Sequence, residues 1–361
     1  MHEKNRAHAR RLKTFLFAAL PLVLVLAAAE VAGRIIFFQI RSDNYCALQC
    51  VYERLRLGML QWHANRLAAH YRENFEKAMG PQLYEPRNRE MLEHLEAQYE
   101  RYFLKLKQEV EGIQAKFVLL YIPYVDYTHS YTLGPSRRFF QRLADKHGVD
   151  FVDVTEEFLK YPPEVVKLLP QDGHVSRFGN QVVARILAQH LRKYQGYRSP
   201  FHFPSHPRLM GDLVGGPFSS RRRRWNQRED MPYTVITNRQ GLRNEKDVLF
   251  PKTKLRILTL GDSYTFGPHL PNSHTYPYFL ERYLPDSEVF NAAAESYTVS
   301  DEEALFDERA KFVEPDIVLL QCLDNDLTDF FWFQRNIYDR ARAAYVPDAV
   351  EKAYFETLDR Q

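Results

Sequence analysis

The stretch Ile257-Leu258-Thr259-Leu260-Gly261-Asp262-Ser263-Tyr264-Thr265-Phe266-Gly267 decides the fold. The apolar run that opens at Leu255 has the length of a strand buried on both faces, and it stops at Gly261-Asp262-Ser263, residues that turn a chain and cap a helix. A strand that turns this way toward a helix is the β-to-α junction of an open α/β sheet. Such sheets bind ligands outside the carboxyl ends of their strands, where helix N-termini point free N–H groups outward. A serine there has its hydroxyl in the cleft and an amide N–H able to support an oxyanion. Read alone, Asp262 or Ser263 serves equally well as a helix cap.

Working outward, the alternation continues on both sides. Residues 275–284 read as a helix, 288–291 as a strand, 301–312 as a helix and 316–323 as a strand, with a long polar helix toward the C-terminus. Upstream, 117–122 is a short apolar run closed by Pro123, followed by a polar helix over 136–147 and a second short strand over 151–154. A helix then carries Val182, Val183, Ile186, Leu187 and Leu191 on one stripe. Between these two blocks, residues 196–254 read as a connector: they hold Pro200, Pro204, Pro207, Pro217, Pro232 and the pair Gly215-Gly216. Its run Arg221 to Arg224 reads as a solvated loop, with contact to anionic lipid headgroups or polymer as the functional alternative. Two strands before the connector and three after it make poor sheets separately. Five together make a standard doubly wound sheet, so the expectation is one composite three-layer α/β/α domain with a flavodoxin-like, five-stranded parallel sheet.

The N-terminus reads as a tether. Lys4, Arg6, Arg10, Arg11 and Lys13 precede an apolar stretch, 14–33, just long enough to cross a bilayer as a helix. The basic residues place the start of the chain in the cytoplasm and everything beyond about residue 40 outside it. Ala27-Ala28-Ala29 offers a signal-peptide cleavage site as the competing reading, but apolar residues resume at Ile35-Ile36-Phe37-Phe38, which favours an uncleaved single-pass anchor in the inner membrane. The expected organisation is a basic tail and anchor (1–40), a helical membrane-proximal segment (41–84), a first half-domain (85–195), the connector (196–254) and a second half-domain (255–361).

Composition excludes several classes. Hydrophobic residues at 45% and charged residues at 26% fit a globular protein rather than a disordered or polytopic one. The formal net charge of +3 is too small for a nucleic-acid groove. Three cysteines cannot staple the chain: Cys46 and Cys50 could pair in an oxidising compartment, and Cys322 lies in an apolar run. No spacing resembles a zinc or iron–sulfur site, so neither metal nor organic cofactor is expected.

A serine nucleophile needs a base within reach, oriented by a third group. Among 13 histidines, His174 stands out because Asp172 precedes it by two residues, on a loop that feeds the helix carrying Val182 and Val183. In isolation that pair is also an ordinary Asp-Gly turn with a surface histidine. Asn325, in Asp324-Asn325-Asp326 directly after a buried strand, is a natural oxyanion donor, though alone such a residue is more often a helix cap than a catalytic group. All three fall at the end of the sheet where α/β sites lie.

Taken together, these blocks resemble the SGNH (GDSL-like) hydrolase family. Gly261-Asp262-Ser263 looks like the nucleophile block, Asn325 after 315–323 like the asparagine block, and Asp172-Gly173-His174 with Gly179 like the acid–histidine block. Thr237-Asn238-Arg239-Gln240-Gly241-Leu242-Arg243 resembles the lead-in of membrane-anchored bacterial members. The resemblance covers about 85–195 and 230–361. It implies Ser263 as nucleophile, His174 as base, Asp172 as its partner, and Ser263 N–H, Ser296 N–H and the Asn325 side chain as oxyanion hole. Departures are specific. Asp172 and His174 stand one residue closer than is usual, a spacing similar to that of related alginate O-acetylating enzymes. Ser296 stands where the second block has glycine, and Leu323 replaces the glycine before the asparagine. The order is also inverted, with the acid–histidine block ahead of the serine block. A circular permutation bridged by the connector accounts for this, since domain termini often lie close together. A domain-swapped homodimer is the alternative assembly.

The expectation is a membrane-anchored periplasmic serine esterase acting on an ester, with O-acetyl groups of a surface carbohydrate as the substrate class. The alternatives are an O-acyltransferase with the same triad, or a catalytically inactive SGNH-like binding or assembly module.

Overall fold

The computed structural model describes residues 84–124, 135–169, 172–204, 223–225 and 233–327. The expected anchor, the membrane-proximal segment and the polar C-terminal helix lie outside these residues. Among the described residues no helix is long and apolar enough to cross a membrane.

In chain order the elements are α1 (Arg89–Gly112), β1 (Lys116–Tyr121), α2 (Pro135–His147), β2 (Asp150–Asp153), the single turns α3 (Thr155–Phe158) and α4 (Pro163–Val166), and α5 (Arg177–Leu191). There follow β3 (Arg223–Trp225), β4 (Tyr233–Val235), β5 (Leu255–Leu260), α6 (Ser263–Phe266), α7 (Tyr276–Tyr283), β6 (Ser287–Asn291), α8 (Val299–Glu308) and β7 (Ile317–Cys322). Strands β2-β1-β7-β5-β6 form one five-stranded sheet in that order, and every pairing in it is parallel. The seam between the two halves is the β1–β7 pair, from Lys116 opposite Ile317 to Tyr121 opposite Cys322. If β5 is counted first, the order reads 2-1-3-4-5, a common doubly wound arrangement whose crevice opens between its first and third strands. Those strands are β5 and β7.

Strand periodicity divides the core. Leu119, Tyr121, Leu258, Leu260, Val318 and Leu320 face a layer with Tyr99 and Phe103 of α1, Phe140 of α2 and Phe306 of α8. Their neighbours Val118, Leu120, Ile257, Ile317 and Leu319 face the opposite layer, with Val183 and Leu187 of α5 and Leu280 of α7. Each such side chain contributes about 1.5–3 kcal/mol on burial, so this core outweighs the exposed ion pairs of the surface.

Residues 196–254 are more than a bridge. Arg223 and Arg224, read above as loop, lie in β3, which pairs antiparallel with β4. Tyr233, Val235, Leu242 and Val248 join the core. Ser199 N–H and Arg256 N–H donate to the two carboxylate oxygens of buried Asp316 (2.7 and 2.8 Å), which joins the end of the first half to the base of β5. The helix expected over 301–312 ends at Glu308 and continues as a 3₁₀ turn, Ala310–Val313.

Candidate active site

Ser263 opens α6 immediately beyond β5. Asp262 is the N-cap of that turn, its side chain accepting the Tyr264 N–H at 2.8 Å, so the capping role belongs to the aspartate and leaves the serine hydroxyl for other work. Gly261 makes the turn possible. Its φ is +151°, and a Cβ there would stand 2.4 Å from Thr265 Oγ1 and 2.8 Å from Gln321 Oε1. Asp262 is buried, and desolvation pushes its carboxyl up to about 6 against the Tyr264 N–H and the charge of His174.

The acid–histidine loop is closed on itself. Leu168 N–H donates to the His174 carbonyl (2.8 Å) and Ser176 N–H to the Val166 carbonyl (2.9 Å). Ser176 then caps α5 by accepting the Gly179 N–H. Within this loop Asp172 Oδ1 accepts the His174 backbone N–H at 2.8 Å and is hydrogen-bonded to His174 Nδ1. The other ring nitrogen, Nε2, lies 2.8 Å from Ser263 Oγ. Desolvation raises the Asp172 carboxyl, but the hydrogen bonds and charge of His174, with the charge of His269, outweigh it and hold the group down at about 2. With Asp172 as acceptor, Nδ1 carries the proton and Nε2 presents a lone pair to the serine.

Cross-links between the halves fix this geometry. Tyr264, next to the serine, donates its phenol hydrogen to the Gly173 carbonyl at 3.1 Å. Asn180 on α5 accepts the Tyr276 N–H at 2.7 Å and donates to the Val175 and Ser176 carbonyls. Arg243, from the lead-in motif, is buried behind the serine turn and donates to the carbonyls of Phe266, Gly267 and Leu270.

The two remaining candidates stand at the carboxyl ends of the flanking strands. Ser296 occupies the turn after β6 with φ +64°, the left-handed conformation that glycine normally supplies. Ala294 N–H in the same loop donates to the Gly261 carbonyl at 3.3 Å, tying it to the serine turn. Asn325 follows β7 and is partly buried. Its neighbour Asp324 anchors the turn by accepting the Tyr121 hydroxyl (2.8 Å) and the Tyr124 N–H (3.2 Å). Burial pushes Asp324 up to about 6 and pulls buried Lys167 down to about 7. The Lys167 ammonium nitrogen lies 4.2 Å from the centre of the Tyr264 ring and donates to the Pro123 carbonyl.

Of the five residues singled out from sequence, Asp172, His174 and Ser263 thus meet in direct contact, and Ser296 and Asn325 occupy the adjacent strand ends. The reading missed His269, whose Nε2 is 3.4 Å from Asp172 Oδ2. Neither its spacing nor its neighbours mark it among 13 histidines. Donor atoms of Asp172, His174 and His269 lie within 4.8 Å of one another, close enough for a divalent cation. Because Asp172 Oδ1 and His174 Nδ1 are already paired, a cation using both would have to part them.

No family model and no curated protein matches the sequence. Among solved structures, the O-acetyltransferase domain of Pseudomonas putida AlgJ is similar, with 14% identity and a TM-score of 0.42, over 74% of this chain and 91% of that chain. A likeness of that size carries no functional assignment.

Proposed function

We propose that this protein is a serine acyl hydrolase, tethered to the inner membrane and acting on an ester in the periplasm. The observation that carries the reading is the 2.8 Å approach of His174 Nε2 to Ser263 Oγ, with Asp172 on the far nitrogen of the same ring. Few structural roles require a hydroxyl, an imidazole and a carboxylate in that order, and a serine nucleophile activated by an oriented imidazole uses all three.

In this reading Ser263 Oγ attacks the ester carbonyl carbon as His174 Nε2 takes its proton. Asp172 holds the ring and stabilises the imidazolium that forms. The carbonyl oxygen becomes an oxyanion, received by Ser263 N–H, Ser296 N–H and the Asn325 side-chain amide. Collapse expels the alcohol, which leaves with the proton from His174, and an acyl-Ser263 remains. Water, deprotonated by the same imidazole, then releases the acid and restores the serine. These steps use the chain's own groups throughout. O-acetyl groups on a surface carbohydrate are the proposed substrate class, supported by the resemblance of the sequence blocks and by the tether read at the N-terminus.

The full-length protein in detergent should hydrolyse short-chain aryl esters, and both Ser263→Ala and His174→Ala should abolish that activity. Hydrolysis that survives in Ser263→Ala removes the assignment. Absence of any turnover or labelling favours the inactive binding module instead. Adding a carbohydrate acceptor and analysing the products separates hydrolase from O-acyltransferase, since a sugar hydroxyl in place of water would leave acylated carbohydrate.

A further inference from the structure

Asp172 has two carboxylate oxygens, and the triad uses one. Oδ1 takes both the ring and the backbone N–H of His174. Oδ2 faces His269 Nε2 at 3.4 Å, with the His269 side chain only 4% exposed. His269 comes from the serine half of the sequence and Asp172 from the other, so the contact exists only because the halves share one sheet.

The His269 position is costly in two independent ways. Its φ is +62°, a left-handed conformation that disfavours side chains bearing a Cβ. Among the described residues its Nδ1 is buried with no hydrogen-bond partner, so its desolvation goes uncompensated there. Glycine would relieve the first cost and a phenyl ring of similar size the second. What the imidazole offers, and they do not, is a ring nitrogen 3.4 Å from Asp172 Oδ2 that can carry a hydrogen. With no partner for Nδ1 among the described residues, the fitting tautomer carries its hydrogen on Nε2, the nitrogen 3.4 Å from Oδ2. The ring is also firmly seated. Arg243 donates to Gly267 and Leu270, the carbonyls on either side of Pro268-His269, and the Tyr233 ring meets the imidazole edge-on at 5.6 Å.

We propose that His269 is a positioning residue, a second imidazole that holds Asp172 from the side opposite His174 and so extends the catalytic line to Ser263–His174–Asp172–His269. It touches no reacting atom and acts through the carboxylate. A distance of 3.4 Å is longer than a formed hydrogen bond, and catalytic hydrogen bonds commonly stand long before substrate binds. When His174 becomes imidazolium, a carboxylate held on both oxygens keeps its plane and stays against Nδ1. The inference rests on the serine-hydrolase reading and deepens it.

The test uses the full-length protein, His269→Phe to fill the space without a donor, and His269→Gln to return an N–H at similar reach. On an aryl ester, His269→Phe should lower kcat about tenfold or more with KM little changed, the scale of a hydrogen bond to a charged group. His269→Gln should recover most of the loss. In an Asp172→Asn background, His269→Phe should add little, since its effect passes through the carboxylate. The proton NMR resonance of His174 Nδ1–H, recorded in Ser263→Ala, should move in His269→Phe and return in His269→Gln. Equal behaviour of Phe and Gln, full additivity with Asp172→Asn, or an unmoved resonance overturns the proposal. The NMR arm needs no turnover, so an inactive wild type whose resonance still responds would sink the hydrolase reading and leave His269 as the partner of Asp172.

Discussion

The phenol of Tyr264 donates to the carbonyl oxygen of Gly173 across 3.1 Å, joining the residue after Ser263 to the residue before His174. The same Tyr264 ring lies 5.4 Å from the His174 ring. Tyr264→Phe keeps the ring contact and releases the carbonyl. It should cost about 1 kcal/mol in urea unfolding, the usual worth of one hydrogen bond. It should also lower kcat severalfold with little change in KM, because the loop that aims His174 loses its tie to the serine turn.

Acid should weaken the fold through Asp172. Its carboxyl lies at about 2 in the folded protein and near the ordinary value of about 3.9 once unfolded. The folded state therefore holds fewer protons between those values, and the contribution is fully present above the unfolded value. It is lost as pH falls through the folded one. Urea midpoints recorded from pH 5 to pH 2 should fall less steeply in Asp172→Asn than in wild type; parallel curves would contradict the assignment.

Asn325→Ala should reduce kcat by about 10²–10³ if its amide meets the oxyanion, the range seen when one such donor is removed. Asn325→Asp, which keeps the size and loses the donor amide, should do no better. Single-turnover kinetics would place the loss in the chemical step.

Ser296 adopts a backbone conformation that favours glycine, φ +64°. Ser296→Gly should relieve that strain and keep the N–H where it is, raising stability by about 0.5–1 kcal/mol with kcat at or above the wild-type value. Thermal denaturation gives the first number and the ester assay the second. A marked loss of activity would mean that the hydroxyl, rather than the backbone, does the work.

The strands and the residues that meet as Ser263, His174 and Asp172 were legible because their signals are local. Buried parallel strands read as short apolar runs, and Gly261-Asp262-Ser263 and Asp172-Gly173-His174 each carry turn chemistry beside a reactive group. The single sheet followed from counting strands, but its order did not. Nothing in Lys116 to Tyr121 names Ile317 to Cys322 as its neighbour. Buried charges were invisible for a related reason. Arg243, Arg256 and Lys167 lie inside because tertiary structure supplies the carbonyls and carboxylates they need, and no local pattern announces those partners. His269 escaped because its partner lies in the other half of the chain. The β3–β4 ribbon escaped because its strands are three residues each, too short for a period, in a stretch dominated by proline, glycine and arginine.

The account depends on His174 and Ser263, 89 residues apart, working as one reactive pair. A fluorophosphonate probe followed by peptide mapping tests that most directly, since it modifies a serine only when a base activates it. The account predicts one adduct, on Ser263, in the full-length protein, with labelling lost in Ser263→Ala and strongly slowed in His174→Ala. No adduct on Ser263, or labelling of equal rate without His174, would contradict it.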